Sequence, residues 1–155
     1  MQAVADLRRR GSETFRWHQD VYDISALLQD LERGAITGLG TFLNRHEIEV
    51  YRAFLEGAPH PALPVGTAPS IDVDVSYAST LRETDLERPI ILLHVGHDQG
   101  TIELADLECG YNFVVGDGNH RLIRAYQVQL AELPIIAILE ATAKRYRSPL
   151  DVSAP

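Results

Sequence analysis

The stretch GDGNHR, residues 116 to 121, combines two glycines with an acid, an amide, an imidazole and a guanidinium. Glycine adopts backbone conformations with positive φ and leaves no Cβ in the way of a ligand. The residues that follow have a helical pattern, and the first N–H groups of a helix lack intrahelical partners and lie at the positive end of its dipole. A glycine turn at a helix N-terminus predicts an anion site, usually for phosphate.

The charged members of this stretch have distinct expected roles. His120 and Arg121 fall in the first helical turn, where both add donors, and arginine suits bidentate phosphate binding. Asp117 would repel a phosphate, so we expect either a Mg²⁺ ion between the two or a general base at this position. A simpler alternative stays open, because Gly-Asp-Gly is a good turn, Asn119 is a good N-cap, and an aspartate near a helix N-terminus stabilises it without a ligand.

The second half of the chain supplies the elements that hold this corner. RPIILLHV (88–95) is a continuous apolar run, typical of a strand that is buried on both faces. YNFVVGD (111–117) and LPIIAILEA (133–141) also predict strands, and NHRLIRAYQVQL (119–130) predicts a helix between them. SIDVDVSY (70–77) alternates apolar and polar residues, which predicts a half-buried strand, and TIELADLECG (101–110) is ambiguous.

The first half predicts helices. DISALLQDLERG (23–34) has apolar residues at helical spacing, Asp23 as N-cap and Gly34 as a stop, and NRHEIEVYRAFLEG (44–57) ends at Gly57. Residues 1–20 predict an arm or a short helix, and APHPALPVGTAP (58–69) a proline-rich linker. The expected organisation is an N-terminal helical extension over 1–60 and a second domain over 61–155, packed as one unit.

The segment GDGNHRLIRAYQ resembles the signature of the ParB/sulfiredoxin-like superfamily, in which a strand leads through a Gly-x-His-Arg type turn into a helix. The resemblance runs from RPIILLHV through FVVGDGNHRLIRAYQ to LPIIAILE, and it implies an α+β fold with a small mixed sheet and flanking helices. It also implies that the corner holds the phosphates of ATP or CTP, with Mg²⁺. Asn119 stands where sulfiredoxin has its nucleophilic cysteine, which excludes sulfiredoxin chemistry.

The resemblance implies a nucleotide-binding domain with Mg²⁺-dependent phosphotransferase or NTPase activity. The alternatives are a non-catalytic ParB-like regulatory module that acts through a protein partner and, third, a nuclease. Asp117, as in the kinase-type corner of the superfamily, is the expected metal ligand. The expected catalytic residues are Asp117, His120 and Arg121, and the expected nucleotide-binding residues are Gly116, Gly118, Asn119, His120 and Arg121.

The net charge and the cysteine content limit the partners and the compartment that we expect. The net charge of −8 disfavours duplex DNA, since the basic residues form only short clusters. The single cysteine, Cys109, excludes an intramolecular disulfide and suits a cytoplasmic protein. No run reaches the length of a membrane span, so no membrane partner is expected. The expected partners are a nucleotide and an unidentified small-molecule or protein acceptor, and a homodimer stays open.

Two other clusters have weaker signals. His94, His97 and His120 are candidate transition-metal ligands, although a spacing of three along a strand does not place His94 and His97 on one side. Glu83, Asp85 and Glu87 most simply form a solvated turn, and in a kinase one of them would be the base that activates a substrate hydroxyl.

Overall fold

The computed structural model describes residues 14–17, 20–61, 73–95, 102–103 and 112–149 of the 155-residue chain. Its helices of one turn or more are α1 Ile24–Glu32, α2 Arg45–Glu56, α3 Val75–Ala78, α4 Asn119–Gln127 and α5 Glu140–Ala143, with 3-10 turns at Glu83–Glu87 and Lys144–Tyr146. Its strands are β1 Thr14–Trp17, β2 Asp20–Asp23, β3 Leu39–Asn44, β4 Ile90–His94, β5 Ile102–Glu103, β6 Asn112–Asp117, β7 Glu132–Ile138 and β8 Arg147–Pro149. The expected α+β class with a mixed sheet is confirmed.

A five-stranded sheet carries the GDGNHR corner. Its order is β3-β7-β4-β6-β5, in which β4 and β7 run parallel and the other neighbours antiparallel. A second, antiparallel sheet has the order β1-β2-β8. β4 has all five of its residues buried, which explains why its first four residues are apolar; the fifth is the buried His94.

The connection from β6 through α4 to β7 determines where the corner lies. β6 and β7 flank β4 on opposite sides, so α4 carries the chain across the central strand. Because β6 runs antiparallel to β4, with Asp117 opposite Ile91, the end of β6 lies beside the beginning of β4. The corner is therefore built against Pro89 and Ile90.

The two helices predicted in the first half are confirmed, together with their ends. The Asp23 carboxylate accepts from the Ala26 N–H at 3.0 Å and so caps α1. α2 begins with a capping box between Asn44 and Glu47, and it ends at Gly57 with φ 68°. Glycine suits that left-handed position because it has no Cβ to clash.

Strands also form in the region predicted as a helical extension, and this part of the prediction is incomplete. β1 and β2 pair through Phe15 and Tyr22, which are both buried. β3 pairs with β7 over its whole length, from Leu39 opposite Ala137 to Asn44 opposite Glu132. The sequence of β3, LGTFLN, has no regular alternation of buried and exposed residues and so gives little local strand signal; its pairing depends on the distant β7.

The strand predicted over 70–77 is wrong for the part that the structure describes. Residues 75–78 form the single turn α3, and the Asp74 carboxylate accepts from the Tyr77 N–H at 3.0 Å. Such a local side-chain bond competes with strand pairing. Val75 and Tyr77 are exposed, so the apolar alternation does not mark a buried face. The ambiguous segment 101–110 contributes β5, and its other residues lie outside the described ranges.

Candidate functional site

The backbone at the corner turns on Gly118. β6 ends at Asp117, Gly118 has φ 103°, and α4 starts at Asn119. Gly118 is therefore the N-cap, and the alternative of Asn119 as N-cap is wrong: Asn119 is the first residue inside the helix. A side chain at φ 103° would be strained, which accounts for a glycine at this position.

Packing accounts for both glycines. A Cβ on Gly118 would lie 2.5 Å from Cγ2 of Ile90, and a Cβ on Gly116 would lie 2.7 Å from Cδ1 of Leu93. Real Cβ atoms do not approach other atoms so closely. The space that the two glycines leave is therefore filled by the protein, and a ligand at the corner would meet their backbone and not an empty Cβ position.

Arg121 turns back onto the protein and clamps the corner to the two residues that precede β4. Its Nη1 donates to the main-chain carbonyls of Arg88 at 2.9 Å and Pro89 at 3.1 Å, and its Nη2 donates to Oδ2 of Asp117 at 2.9 Å. The Arg121 side chain is only 11% exposed. Burial lowers the pKa of the Arg121 guanidinium from its ordinary value, and the Asp117 carboxylate opposes that shift.

Asp117 is held by this ion pair and yet keeps one oxygen for other partners. Its side chain is 23% exposed, and Oδ2 is the atom that Arg121 engages. No residue within the described ranges donates a hydrogen bond to Oδ1. A cation that approaches the corner could therefore bind Oδ1 without breaking the pair.

His120 points away from the clamp, towards the segment that contains α3. Its Nε2 accepts from the Asp74 N–H at 3.1 Å. The Tyr77 ring meets the imidazole edge-to-face, with ring centroids 5.1 Å apart at 88°. Because Nε2 is an acceptor, the neutral imidazole carries its proton on Nδ1 and has one donor to offer.

Other residues on the same face of α4 also contact the segment that contains α3. Arg124 Nε donates to the Leu81 carbonyl at 2.9 Å, and Gln127 Nε2 donates to Oγ of Ser79 at 3.0 Å. His120, Arg124 and Gln127 lie one and two turns apart, so they form one polar stripe on α4. Residues 74–81 run along that stripe and form one wall of the corner. The predicted strand over 70–77 obscured Asp74 and Tyr77 as members of the site.

The N-terminus of α4 has no side-chain acceptor. Asp23 and Asn44 cap α1 and α2, which are the other helices of at least nine residues in the described ranges, whereas no described side chain accepts from the first N–H groups of α4. The first intrahelical bond here runs from the Leu122 N–H to the Gly118 carbonyl. Asn119 Oδ1, in the same turn, is buried without a hydrogen-bond partner among the described residues.

Of the other candidate residues, His94 does not lie at this corner, whereas Asp85 is close enough for its charge to raise the pKa of Arg121. His94 ends β4, about 13 Å along the strand from the end where His120 lies, at roughly 3.3 Å per residue. Its Nδ1 lies 3.6 Å from Oε2 of Glu140. Asp85 accepts from the Arg82 N–H at 2.9 Å and lies in a 3-10 turn. His97 and Cys109 lie outside the described residues.

Comparison with known proteins gives no relative to this chain. No family model, no curated protein and no solved structure matches it. None of the helices in the described ranges combines the length and apolar character that crossing a bilayer requires.

Proposed function

We propose that this chain is a ParB/sulfiredoxin-like domain that binds the phosphates of a nucleoside triphosphate, ATP or CTP, at the N-terminus of α4. The order of elements around the corner supports the proposal, because β4, β6, α4 and β7 follow the strand, strand, helix, strand order of the resemblance, with the two-residue β5 inserted between β4 and β6. The phosphates would lie over the first turn of α4, between its backbone and the wall formed by residues 74–81.

The observation that carries the proposal is the uncapped N-terminus of α4. Its first N–H groups have no acceptor among the described side chains, and Gly118 contributes none because it has no side chain. The helix dipole favours negative charge at this end. A phosphate would supply the missing acceptor, and His120 Nδ1 would add a donor beside the backbone N–H groups.

We infer a different part for Arg121 from the one expected. All three of its hydrogen bonds end on protein atoms, so it acts on a phosphate through its charge and through the shape of the corner. By fixing Asp117 against β4, Arg121 keeps one carboxylate oxygen, Oδ1, directed away from the pair. Arg121 is thus a positioning residue in this proposal.

If the domain is an enzyme, Oδ1 of Asp117 is the atom that binds its metal ion. Mg²⁺ commonly links one or two carboxylates to substrate phosphates, and Asp117 Oδ1 would be the protein ligand here. The ion would neutralise the repulsion between Asp117 and the phosphates and stabilise the charge of a transferred phosphoryl group. The domain would then be a Mg²⁺-dependent phosphotransferase or NTPase.

The Asp117–Arg121 pair favours a second candidate, a nucleotide-binding module without turnover. The Oδ2 atom of Asp117 is occupied by the buried Arg121, which leaves only Oδ1 to take a proton from a substrate. In this alternative the nucleotide acts as a switch, and a protein partner binds the nucleotide-bound form of the domain.

Thermal denaturation with ATP or CTP, with and without Mg²⁺, tests binding. Ligand at 100 times its Kd stabilises the folded chain by about 2.7 kcal/mol, which is a readily measured rise in Tm. We expect His120→Ala to weaken this effect, whereas His60→Ala, which removes an imidazole elsewhere on the surface, should leave it unchanged. Absence of any shift with either nucleotide in Mg²⁺ contradicts the proposal.

Turnover separates the two candidates. For an enzyme we expect phosphate release or transfer by the wild-type chain, lost in Asp117→Asn while the nucleotide-dependent rise in Tm persists. Asparagine keeps an acceptor for Arg121, so the corner should stay folded, which circular dichroism checks. Binding without turnover by the wild-type chain selects the regulatory module.

A further inference from the structure

Three potential metal ligands converge outside the GDGNHR corner. His46, Glu49 and His60 each offer a ligand atom, and these atoms lie within 4.8 Å of one another. The two imidazoles meet edge-to-face, with ring centroids 5.7 Å apart. Ligands of a tetrahedral zinc ion lie about 3.3 Å apart, as follows from bonds of about 2.0–2.2 Å, so small side-chain rotations close the gap.

Helix α2 supplies two of these ligands at a suitable spacing. His46 and Glu49 are three residues apart, so their side chains project from one face. The intervening acid, Glu47, has a separate task, because its Oε1 accepts from the Asn44 N–H at 2.9 Å in the capping box. Glu47 is also buried, whereas His46 is exposed and Glu49 is half-buried.

The end of α2 brings the third ligand back to the helix. The Ala58 N–H donates to the Ala53 carbonyl at 2.8 Å around the left-handed Gly57, a closure that reverses the chain. His60 follows, between Pro59 and Pro61. Proline fixes its own φ and restricts the residue before it, so the His60 backbone has little freedom to lose when a ligand binds.

The carboxylate of this cluster is already oriented. Arg45 Nε donates to Oε1 of Glu49 at 3.2 Å, and the Arg45 guanidinium lies over the Tyr126 ring, 5.2 Å from its centroid. Arg45 Nη1 also lies 3.4 Å from the Tyr126 carbonyl. Residues that hydrogen-bond to a ligating carboxylate fix its direction and tune metal affinity.

We propose that His46, Glu49 and His60 bind one divalent transition-metal ion of the zinc class. Two imidazoles and one carboxylate suit Zn²⁺, Co²⁺ or Ni²⁺, whereas Mg²⁺ and Ca²⁺ prefer oxygen ligands throughout. Three protein ligands leave a position for water or another small ligand. The ion would tie residues 58–61 to α2, and this inference is independent of nucleotide binding at α4.

Calorimetric titration of the untagged chain with Zn²⁺ tests the site, and Co²⁺ reports its geometry through visible absorption. We expect one ion per chain and loss of about tenfold or more in affinity for His46→Ala, for His60→Ala and for Glu49→Gln. Zinc should also shift the NMR signals of two of the six histidines.

Glu56→Gln is a matched control for Glu49→Gln. Both carboxylates lie on α2 and pair with an arginine four residues earlier, Glu49 with Arg45 at 3.2 Å and Glu56 with Arg52 at 3.6 Å. The control and His120→Ala should bind zinc as the wild type does. No heat with either Zn²⁺ or Co²⁺, or binding that survives in both His46→Ala and His60→Ala, overturns the proposal.

Discussion

Replacing Arg121 by methionine tests whether this arginine clamps the corner. Methionine keeps the length of the buried stem and removes three hydrogen bonds and a charge. Removing one partner of a buried ion pair costs about 3–5 kcal/mol. Asp117 is 23% exposed and can recover some water, so we lower the expected loss in free energy of unfolding to about 2–3 kcal/mol.

Urea denaturation of the nucleotide-free chain measures this loss. Arg82→Met is the matched control. The Arg82 side chain is 82% exposed, and its Nε lies as far as 4.0 Å from Oδ2 of Asp85, so the free energy of unfolding should change by no more than about 0.5 kcal/mol. Asp117→Asn should cost about 1 kcal/mol, and the double variant should show coupling of about 1–2 kcal/mol. If Arg121→Met is as stable as the wild type but no longer binds nucleotide, Arg121 is a ligand contact and the clamp is refuted.

Three further variants probe the same framework. Gly118→Ala should cost about 2–3 kcal/mol, since alanine is strained at φ 103° and its Cβ meets Ile90; stability near that of the wild type would contradict the packing argument. Tyr51→Phe should cost about 1 kcal/mol in urea denaturation, because its buried hydroxyl donates to the Phe113 carbonyl at 2.9 Å; an unchanged midpoint would count against that bond. Burial and the hydrogen bond to Asp30 raise the pKa of Tyr146 from 10.0 to about 12. The stability that follows from this raised pKa is therefore complete below pH 10 and is lost as the pH rises towards 12. The bond to Tyr146 also lowers the pKa of Asp30, so NMR titration should show Tyr146→Phe raising it, and no change would refute the coupling.

Elements with local signals were predictable from the sequence. α1 and α2 combine helical spacing with recognisable ends, α4 has helical spacing, and the first four residues of β4 are apolar because both its faces are buried. β3 could not be predicted, because its mostly exposed positions become a strand only through pairing with β7. The strand pattern near residue 74 was misleading, since the Asp74 cap forms a helical turn in which Val75 and Tyr77 are exposed.

The candidate site was predictable in place but not in its contacts. The sequence indicates a strand, a glycine turn and a helix around residue 118, and all three are present. The residue type and position of Arg121 predict a phosphate ligand. Its guanidinium instead donates to carbonyls of a segment that lies more than thirty residues earlier in the sequence. The convergence of His60 with His46 likewise depends on how the chain reverses after Gly57, which spacing alone does not reveal.

The position of β7 between β3 and β4 has a consequence for how the chain folds during synthesis. β3 and β4 are made early, yet the strand that joins them comes only with residues 132–138. Until then one edge of the apolar β4 has no neighbour, and such an edge can pair with other chains. Long-range pairing of this kind slows folding, so we expect the five-stranded sheet to close late, once β7 has been made.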